Sequence, residues 1–202
     1  MPQTNQELIT KFQQLARWMI DDTERSMFQA RANFLVAQAL LNYTETIGSF
    51  ILPNGNSAQR FDAFFTRLGP EYSLLLRRFN GRRRRNPHII YDDLRCGLAH
   101  EYVVKRKVFR VYNYYNQGIT PQDIVIENLL IDINGTQTLC TAGIMHTWEH
   151  RKGIWHIIDP KYWLDFRRAL DLYTSEIQNT NNRVLRNNFF IRARQINFIE
   201  FH

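Results

Sequence analysis

A chain of 202 residues with 44% hydrophobic and 22% charged side chains can bury one substantial core, and this composition excludes wholesale disorder. Two cysteines, Cys96 and Cys140, exclude a disulfide framework and favour a reducing compartment, expected to be the cytoplasm. The net charge of +7 is concentrated in residues 51–110, where 13 basic and 5 acidic side chains give +8, and this indicates a localised site for a polyanion.

The first 52 residues predict two long helices. On the first helix, five apolar residues recur at helical spacing: Leu8, Phe12, Leu15, Trp18 and Met19. Thr4, followed three residues later by Glu7, predicts a capping box at its start. The second helix is predicted from about Ser26 to Ile51, with an apolar face at Phe28, Ala32, Leu35, Ala39 and Tyr43. Polar residues interrupt this helix too often for a membrane span, so no membrane partner is expected.

Two shorter helices are predicted next, from about Ala58 to Leu68 and from about Glu71 to Arg78, with Gly69-Pro70 between them. A loop rich in arginine follows, and a further helix is predicted from His88 to Val103. The most basic part of the chain therefore lies directly before this helix.

The following segments are rich in β-branched and aromatic residues. Strands are predicted at Val108–Tyr115, Ile124–Ile133, Leu139–Trp148 and Ile154–Ile158, separated by turn signals that include Asn134-Gly135. They predict an antiparallel meander. A last helix is predicted from Pro160 through Tyr173, and the Asn-rich segment 179–188 is expected to end or fray it. Because no linker divides the chain, residues 1–202 are predicted to form a single domain.

Arg95 and His100 are the candidate catalytic pair, since both fall in one predicted helix. The spacing alone is weak evidence, because 21 arginines and 6 histidines give roughly two such matches by chance. Two other matches occur, but Pro87 interrupts the one that ends at His88, and the Gly153 turn interrupts the one that ends at His156. Context, rather than spacing, therefore singles out Arg95 and His100.

The two side chains suit phosphate chemistry on RNA. Histidine titrates near neutrality and can transfer protons, while the arginine fork binds phosphate oxygens in bidentate fashion. Five α-helical steps rotate about 140°, so the two side chains are expected to flank a groove rather than touch. A second copy of the helix could bring each His100 to the partner's Arg95 across a two-fold axis, and Gly97 would allow the close approach.

The chain resembles the HEPN superfamily in its Arg95-x4-His100 element on a late helix, the long helices before it and the closing helix. The resemblance implies a mainly α fold: a HEPN-like helical bundle of four to five helices, with the β-meander inserted at about 106–158 before the last long helix. Many members are metal-independent ribonucleases that act as dimers in toxin–antitoxin or antiphage systems. It implies that Arg95 stabilises the phosphate and that His100 is general base or acid, with no cofactor or metal and with a possible antitoxin-like protein partner.

The residues around the pair are candidate supporting groups. Asp92 could tune either member of the pair, although acidic residues in a first helical turn are usually dipole-complementing caps. Cys96 follows Arg95 where active family members often have a polar residue. The candidate RNA-binding residues are Arg77, Arg78, Arg82, Arg83, Arg84 and Arg85. Taken alone, this run is equally consistent with a solvated loop.

Two other interpretations of the same residues stay open. The groove could bind RNA, a nucleotide or a protein without catalysis, or Arg95 could belong to a purely structural ion pair. A zinc site is not expected, because the spacing of Cys140, His146, His150 and His156 matches no established pattern.

Overall fold

A computed structural model of the protein describes residues 3–30, 32–80, 87–97, 108–112, 129–133, 136–149, 152–179, 181–196 and 198. The helices are α1 (Asn5–Phe28), α2 (Asn33–Ile51), α3 (Ser57–Phe65), α4 (Pro70–Asn80), a π-helix (Tyr91–Cys96), α5 (Asp159–Gln178) and α6 (Arg183–Gln195). The strands are β1 (Val108–Tyr112), β2 (Leu129–Ile133), β3 (Thr136–Cys140), β4 (Ile144–Glu149) and β5 (Lys152–Ile158). Within these residues the fold is mainly helical with a small mixed sheet, which confirms the predicted class at that level.

Local sequence signals begin several of the helices. The predicted capping box of α1 is confirmed: Glu7 donates its backbone N–H to Thr4 Oγ1 at 3.2 Å, and Thr4 donates to Glu7 Oε2 at 2.6 Å. Asn56 and Gln59 form an equivalent box at the start of α3. Pro160 lies in the first turn of α5, where its missing N–H leaves no helical hydrogen bond unmade.

The boundary between the first two helices differs from the prediction. Helix α1 continues to Phe28 and α2 begins at Asn33, so the predicted start at about Ser26 is wrong. The junction contains no glycine or proline that would mark it. The buried face of α2 is also shifted, because Leu35 is 56% exposed whereas Val36 and Leu40 are fully buried.

An aromatic cluster centred on Phe12 joins four helices. Its ring centroid lies 5.0 Å from that of Phe50, 5.6 Å from that of Tyr173 and 5.3 Å from that of Phe189. All four rings are fully buried, and they belong to α1, α2, α5 and α6. The four helices therefore share one core.

Helix α6 was not predicted. The Asn-rich segment does end α5, but Asn182 then accepts a hydrogen bond from the backbone N–H of Leu185 at 3.2 Å and begins a new helix. The described residues thus contain six α-helices and one π-helix, more than the predicted four to five.

Two small sheets replace the predicted antiparallel meander. One has the strand order β1-β5-β4, in which β1 is parallel and β4 antiparallel to β5. The other is the antiparallel hairpin β2–β3, whose Ile133–Thr136 pair leaves a two-residue connection at the predicted Asn134-Gly135 turn. The meander is wrong because β1 pairs with the last strand rather than with the next one. The predicted strand residues 113–115 and 124–128 lie outside the described residues.

The segment predicted as one strand from Leu139 to Trp148 is two strands, separated by a bend at residues 141–143. A Cβ at Gly143 would overlap the backbone of Tyr162, and Ile158 donates its backbone N–H to the Gly143 carbonyl at 2.8 Å. The bend therefore packs directly against the start of α5, and the chain cannot run straight through it.

A buried polar network connects this bend to two helices. Gly143 donates its backbone N–H to the Tyr72 hydroxyl at 2.7 Å, and that hydroxyl donates to Asp165 Oδ2, also at 2.7 Å. Lys161 Nζ contacts the other oxygen of Asp165. Burial raises the pKa of Asp165, and the hydrogen bonds from Lys161 and Tyr72 lower it in part. These groups stabilise the contact between the sheet, α4 and α5.

Asp159, in the first turn of α5, is fully buried, and neither carboxylate oxygen has a hydrogen-bond partner among the residues that the structure describes. Burial raises its pKa well above the ordinary 3.8. The stability that this group contributes is therefore complete below the unfolded pKa and is lost as pH rises through the folded pKa. We expect Asp159→Asn, which cannot ionise, to melt several degrees above wild type at neutral pH and at the same temperature as wild type at acid pH. Thermal melts across pH test this, and a difference that does not change with pH would contradict it.

Candidate functional site

Arg95 lies on the π-helix, not on the predicted α-helix. Gly97 donates its backbone N–H to the carbonyl of Asp92, five residues back, which is the hydrogen bond of a π-helix. Tyr91 and Leu94 are buried and anchor the segment, with the Tyr91 ring 5.6 Å from that of Phe61 on α3. The predicted rotation of about 140° assumed α-helical steps throughout, and the π-helix overturns that assumption at Arg95.

Glu45 of α2 is the ionic partner of Arg95. Its Oε2 lies 2.7 Å from Arg95 Nε, and the two side chains are 16% and 24% exposed. The N–H of Nε is not aligned for a hydrogen bond, so the contact is a close charge pair. Glu45 Oε2 also accepts a long hydrogen bond, 3.5 Å, from the Tyr91 hydroxyl, and the Arg95 guanidinium carbon lies 5.8 Å from the Tyr91 ring centroid. Arg95 is thus held by a carboxylate and a ring.

These neighbours change the pKa of the Tyr91 hydroxyl. Burial, and then the neighbouring Glu45 carboxylate, raise the pKa of Tyr91 to about 12. The hydroxyl therefore stays protonated at neutral pH and remains a donor to Glu45. The Nε edge of Arg95 faces Glu45, which leaves the edge formed by its two terminal amines as the one suited to a bidentate phosphate contact.

The two predicted supporting residues differ in exposure and in what they contact. Asp92 is exposed; burial is the main cause that raises the pKa of Asp62 on α3, and the Asp92 charge adds to it. Cys96 is a free, half-buried cysteine that packs against the hydrophobic core. Between them, Asp93 accepts a hydrogen bond from Trp155 Nε1 at 3.2 Å and so ties the π-helix to β5.

The other predicted site residues divide into two groups. Arg77 and Arg78 are exposed in the last turn of α4, where a positive charge also complements the helix dipole. His100 and the four loop arginines, Arg82, Arg83, Arg84 and Arg85, lie outside the described residues. The structure therefore places Arg95 and the start of the basic segment, and the pairing of Arg95 with His100 stays a prediction.

Sequence reasoning missed two features of this region. Glu45 is the only charged residue of α2, and a single carboxylate in an otherwise uncharged helix is a signal that could have identified it. His88, set aside as a chance match, has Nδ1 2.8 Å from Asp62 Oδ2. Burial raises the pKa of Asp62, which the nearby His88 lowers in part. No short-range sequence pattern predicts the His88–Asp62 pair, because 26 residues separate its members.

The residues considered for zinc make other contacts. His156 is fully buried; its Nε2 lies 2.7 Å from Thr147 Oγ1 and its Nδ1 3.1 Å from the Tyr112 hydroxyl. Burial raises the pKa of the Cys140 thiol to about 11, which keeps it protonated at neutral pH. Within the described ranges, no group of three or more His, Cys, Asp or Glu side chains could hold a metal ion. His150 lies outside these ranges.

Comparisons of the chain with models of protein families, with curated proteins and with solved structures found no match. None of the helices in the described part of the chain combines the length and the apolar character needed to cross a lipid bilayer.

Proposed function

We propose that the protein is a metal-independent endoribonuclease of the HEPN type that acts as a cytoplasmic homodimer, as a toxin or an antiphage component. The observation that carries the proposal is the fixed position of Arg95. Glu45 of α2 and Tyr91 of the π-helix hold its guanidinium, yet 24% of the Arg95 side chain is exposed. A cation fixed before substrate binds stabilises developing charge better than one that must first be ordered. π-Helical turns are also frequent at functional sites.

The proposed reaction needs two groups. His100 takes the proton from the 2′-hydroxyl as this oxygen attacks the adjacent phosphorus, and Arg95 stabilises the extra negative charge on the phosphate oxygens. The bond from phosphorus to the 5′-oxygen then breaks, and that oxygen takes a proton from a water molecule. The products are a 2′,3′-cyclic phosphate and a free 5′-hydroxyl. Arg77, Arg78 and the loop arginines would attract and orient the RNA backbone.

The proposal predicts RNA cleavage by the wild-type protein in the presence of EDTA. Ends that carry a cyclic phosphate have no free 3′ hydroxyl. A reagent that labels 3′ hydroxyls should therefore label the products only after the cyclic phosphate has been opened and removed. Cleavage that requires a divalent metal, or products with 3′-hydroxyl ends, would contradict the mechanism.

A second candidate is a non-catalytic module that binds RNA or a nucleotide, or docks an antitoxin-like protein. The Arg95–Glu45 ion pair favours it, because Glu45 offsets the charge that catalysis would use. Salt-sensitive RNA binding without cleavage by the wild-type protein would support this candidate. The purely structural interpretation of Arg95 is supported if replacing Arg95 changes stability alone.

A further inference from the structure

An exposed tryptophan lies at the edge of an aromatic cluster whose other members are buried or half-buried. Trp148 on β4 is 63% exposed, whereas Trp155 on β5 is fully buried. The His146 ring lies between them, with its centroid 5.3 Å from that of Trp148 and 4.6 Å from that of Trp155. Phe79 of α4 completes the cluster, 4.7 Å from His146 and 4.9 Å from Trp155. The exposed indole therefore packs against His146, whose ring is itself held by Phe79 and Trp155.

Gly153, the partner of Trp148 in the β4–β5 ladder, shapes this surface. A Cβ at Gly153 would lie 2.6 Å from His146 Nε2 and 3.8 Å from the Trp148 ring. The glycine thus gives the His146 ring the room that it occupies, whereas a Cβ would make only an ordinary van der Waals contact with the Trp148 ring. An indole held in this way gives up little conformational freedom when a flat ligand stacks on it.

The neighbouring end of α4 is positively charged. Phe79 belongs to the last turn of α4, where the Arg78 guanidinium carbon lies 5.4 Å from the Phe79 ring centroid and Arg77 is also exposed. Four further arginines follow along the chain at 82–85. An apolar partner surface would leave these cations without a counterpart, whereas single-stranded nucleic acid offers phosphates for them and a base for the indole.

We propose that Trp148 is a stacking platform for an unpaired base of single-stranded RNA, with Arg77 and Arg78 contacting the adjacent phosphates. The choice of RNA rests on the proposed function, but the stacking does not depend on catalysis. Residues from β4 and α4 would then form a binding surface that contacts the substrate outside the scissile phosphate. The tie between Trp155 and Asp93 connects this surface to the π-helix that carries Arg95.

The test measures binding of a short single-stranded 2′-O-methyl RNA, which cannot be cleaved through its 2′ oxygens. Stacking of one base predicts that Trp148→Ala weakens binding about tenfold, whereas Trp148→Phe keeps most of the affinity. Trp18→Ala is the matched control, because Trp18 on α1 is also partly exposed (36%). Arg77→Ala and Arg78→Ala should each lower the slope of log affinity against log salt by about one, and Trp148→Ala should leave it unchanged.

Unchanged affinity of folded Trp148→Ala, the result expected if this face docks a protein instead, overturns the stacking site. A loss in Trp148→Phe as large as that in Trp148→Ala also overturns it, because phenylalanine retains a stacking face. Failure of the ribonuclease proposal has a different signature: the wild-type protein binds the modified RNA through Trp148 but leaves unmodified RNA uncleaved.

Discussion

Replacing His100 by alanine should abolish detectable RNA cleavage, and replacing Arg95 by alanine should reduce it by about 10²- to 10³-fold. The first change removes the group that transfers protons, and the second removes the cation that stabilises the phosphate in the transition state. Single-turnover cleavage of a fluorescent RNA in EDTA measures both effects. His88→Ala is the matched control, since His88 is also held near the π-helix, 2.8 Å from a carboxylate, but lies outside the proposed pair. Activity lost with His88→Ala and kept with His100→Ala would contradict the assignment.

Mixing the two inactive variants tests whether the site needs two chains. If each site takes Arg95 from one protomer and His100 from the other, a mixed dimer of Arg95→Ala and His100→Ala contains one intact site. Random pairing makes half of the dimers mixed, so activity should return to about a quarter of the wild-type value. If both residues of a site came from the same chain, every site in the mixture would lack one group. No recovery after subunit exchange would therefore contradict the shared site.

Loss of activity in Arg95→Ala needs a control for stability. The substitution leaves Glu45, a side chain only 16% exposed, without its cation. Adding Glu45→Gln removes that unpaired charge and should recover part of the stability, while cleavage stays low. If the double variant recovered cleavage together with stability, the result would support a structural role for Arg95 rather than a catalytic one.

Rules that act within one turn of chain predicted much of the fold. Thr4 with Glu7, and Pro160 at the start of α5, identified real helix starts, because each signal concerns backbone groups only a few residues away. Helix α6 was not predicted because its Asn182 cap lies in a segment whose many asparagines are also typical of a frayed helix end. The parallel pairing of β1 with β5 was not predicted because tertiary packing, rather than local sequence, determines which strands far apart along the chain pair.

The candidate site was predictable only in part. Arg95 was identified by its residue type and by its place in one predicted helix after the basic run, but Glu45 lies on another helix and is brought to it by packing of α2 against the π-helix. The π-helix itself has no distinct periodicity over six residues, so the pattern favoured an α-helix. The exposure of Trp148, on which the proposed stacking site rests, was not predicted because a strand aromatic looks alike in sequence whether its ring is covered or exposed.

Gly48→Ala should destabilise the protein by about 3 kcal/mol or more, although alanine favours helices. The substitution lies within α2, where alanine would contribute about 1 kcal/mol through helix propensity. A Cβ at Gly48 would, however, overlap the backbone carbonyl oxygen of Arg60 on α3. Because backbone cannot rotate away as a side chain can, α3 must move off α2, and loss of that packing outweighs the propensity. For a chain of this size the melting temperature should fall by roughly 10 °C.

Gly55→Ala is the matched control for this prediction. A Cβ at Gly55 would meet Leu52 Cδ2 at 2.7 Å and Cγ at 2.9 Å, but Leu52 is 38% exposed and its side chain can turn away into solvent. The change in stability should therefore stay within about 1 kcal/mol. Glu45 lies one turn before Gly48, and Tyr91 packs on Phe61 of α3, so separating α2 from α3 should also release Arg95. Equal melting temperatures for the two alanine variants would show that α2 and α3 tolerate separation. The inference that this packing fixes Arg95 would then be wrong.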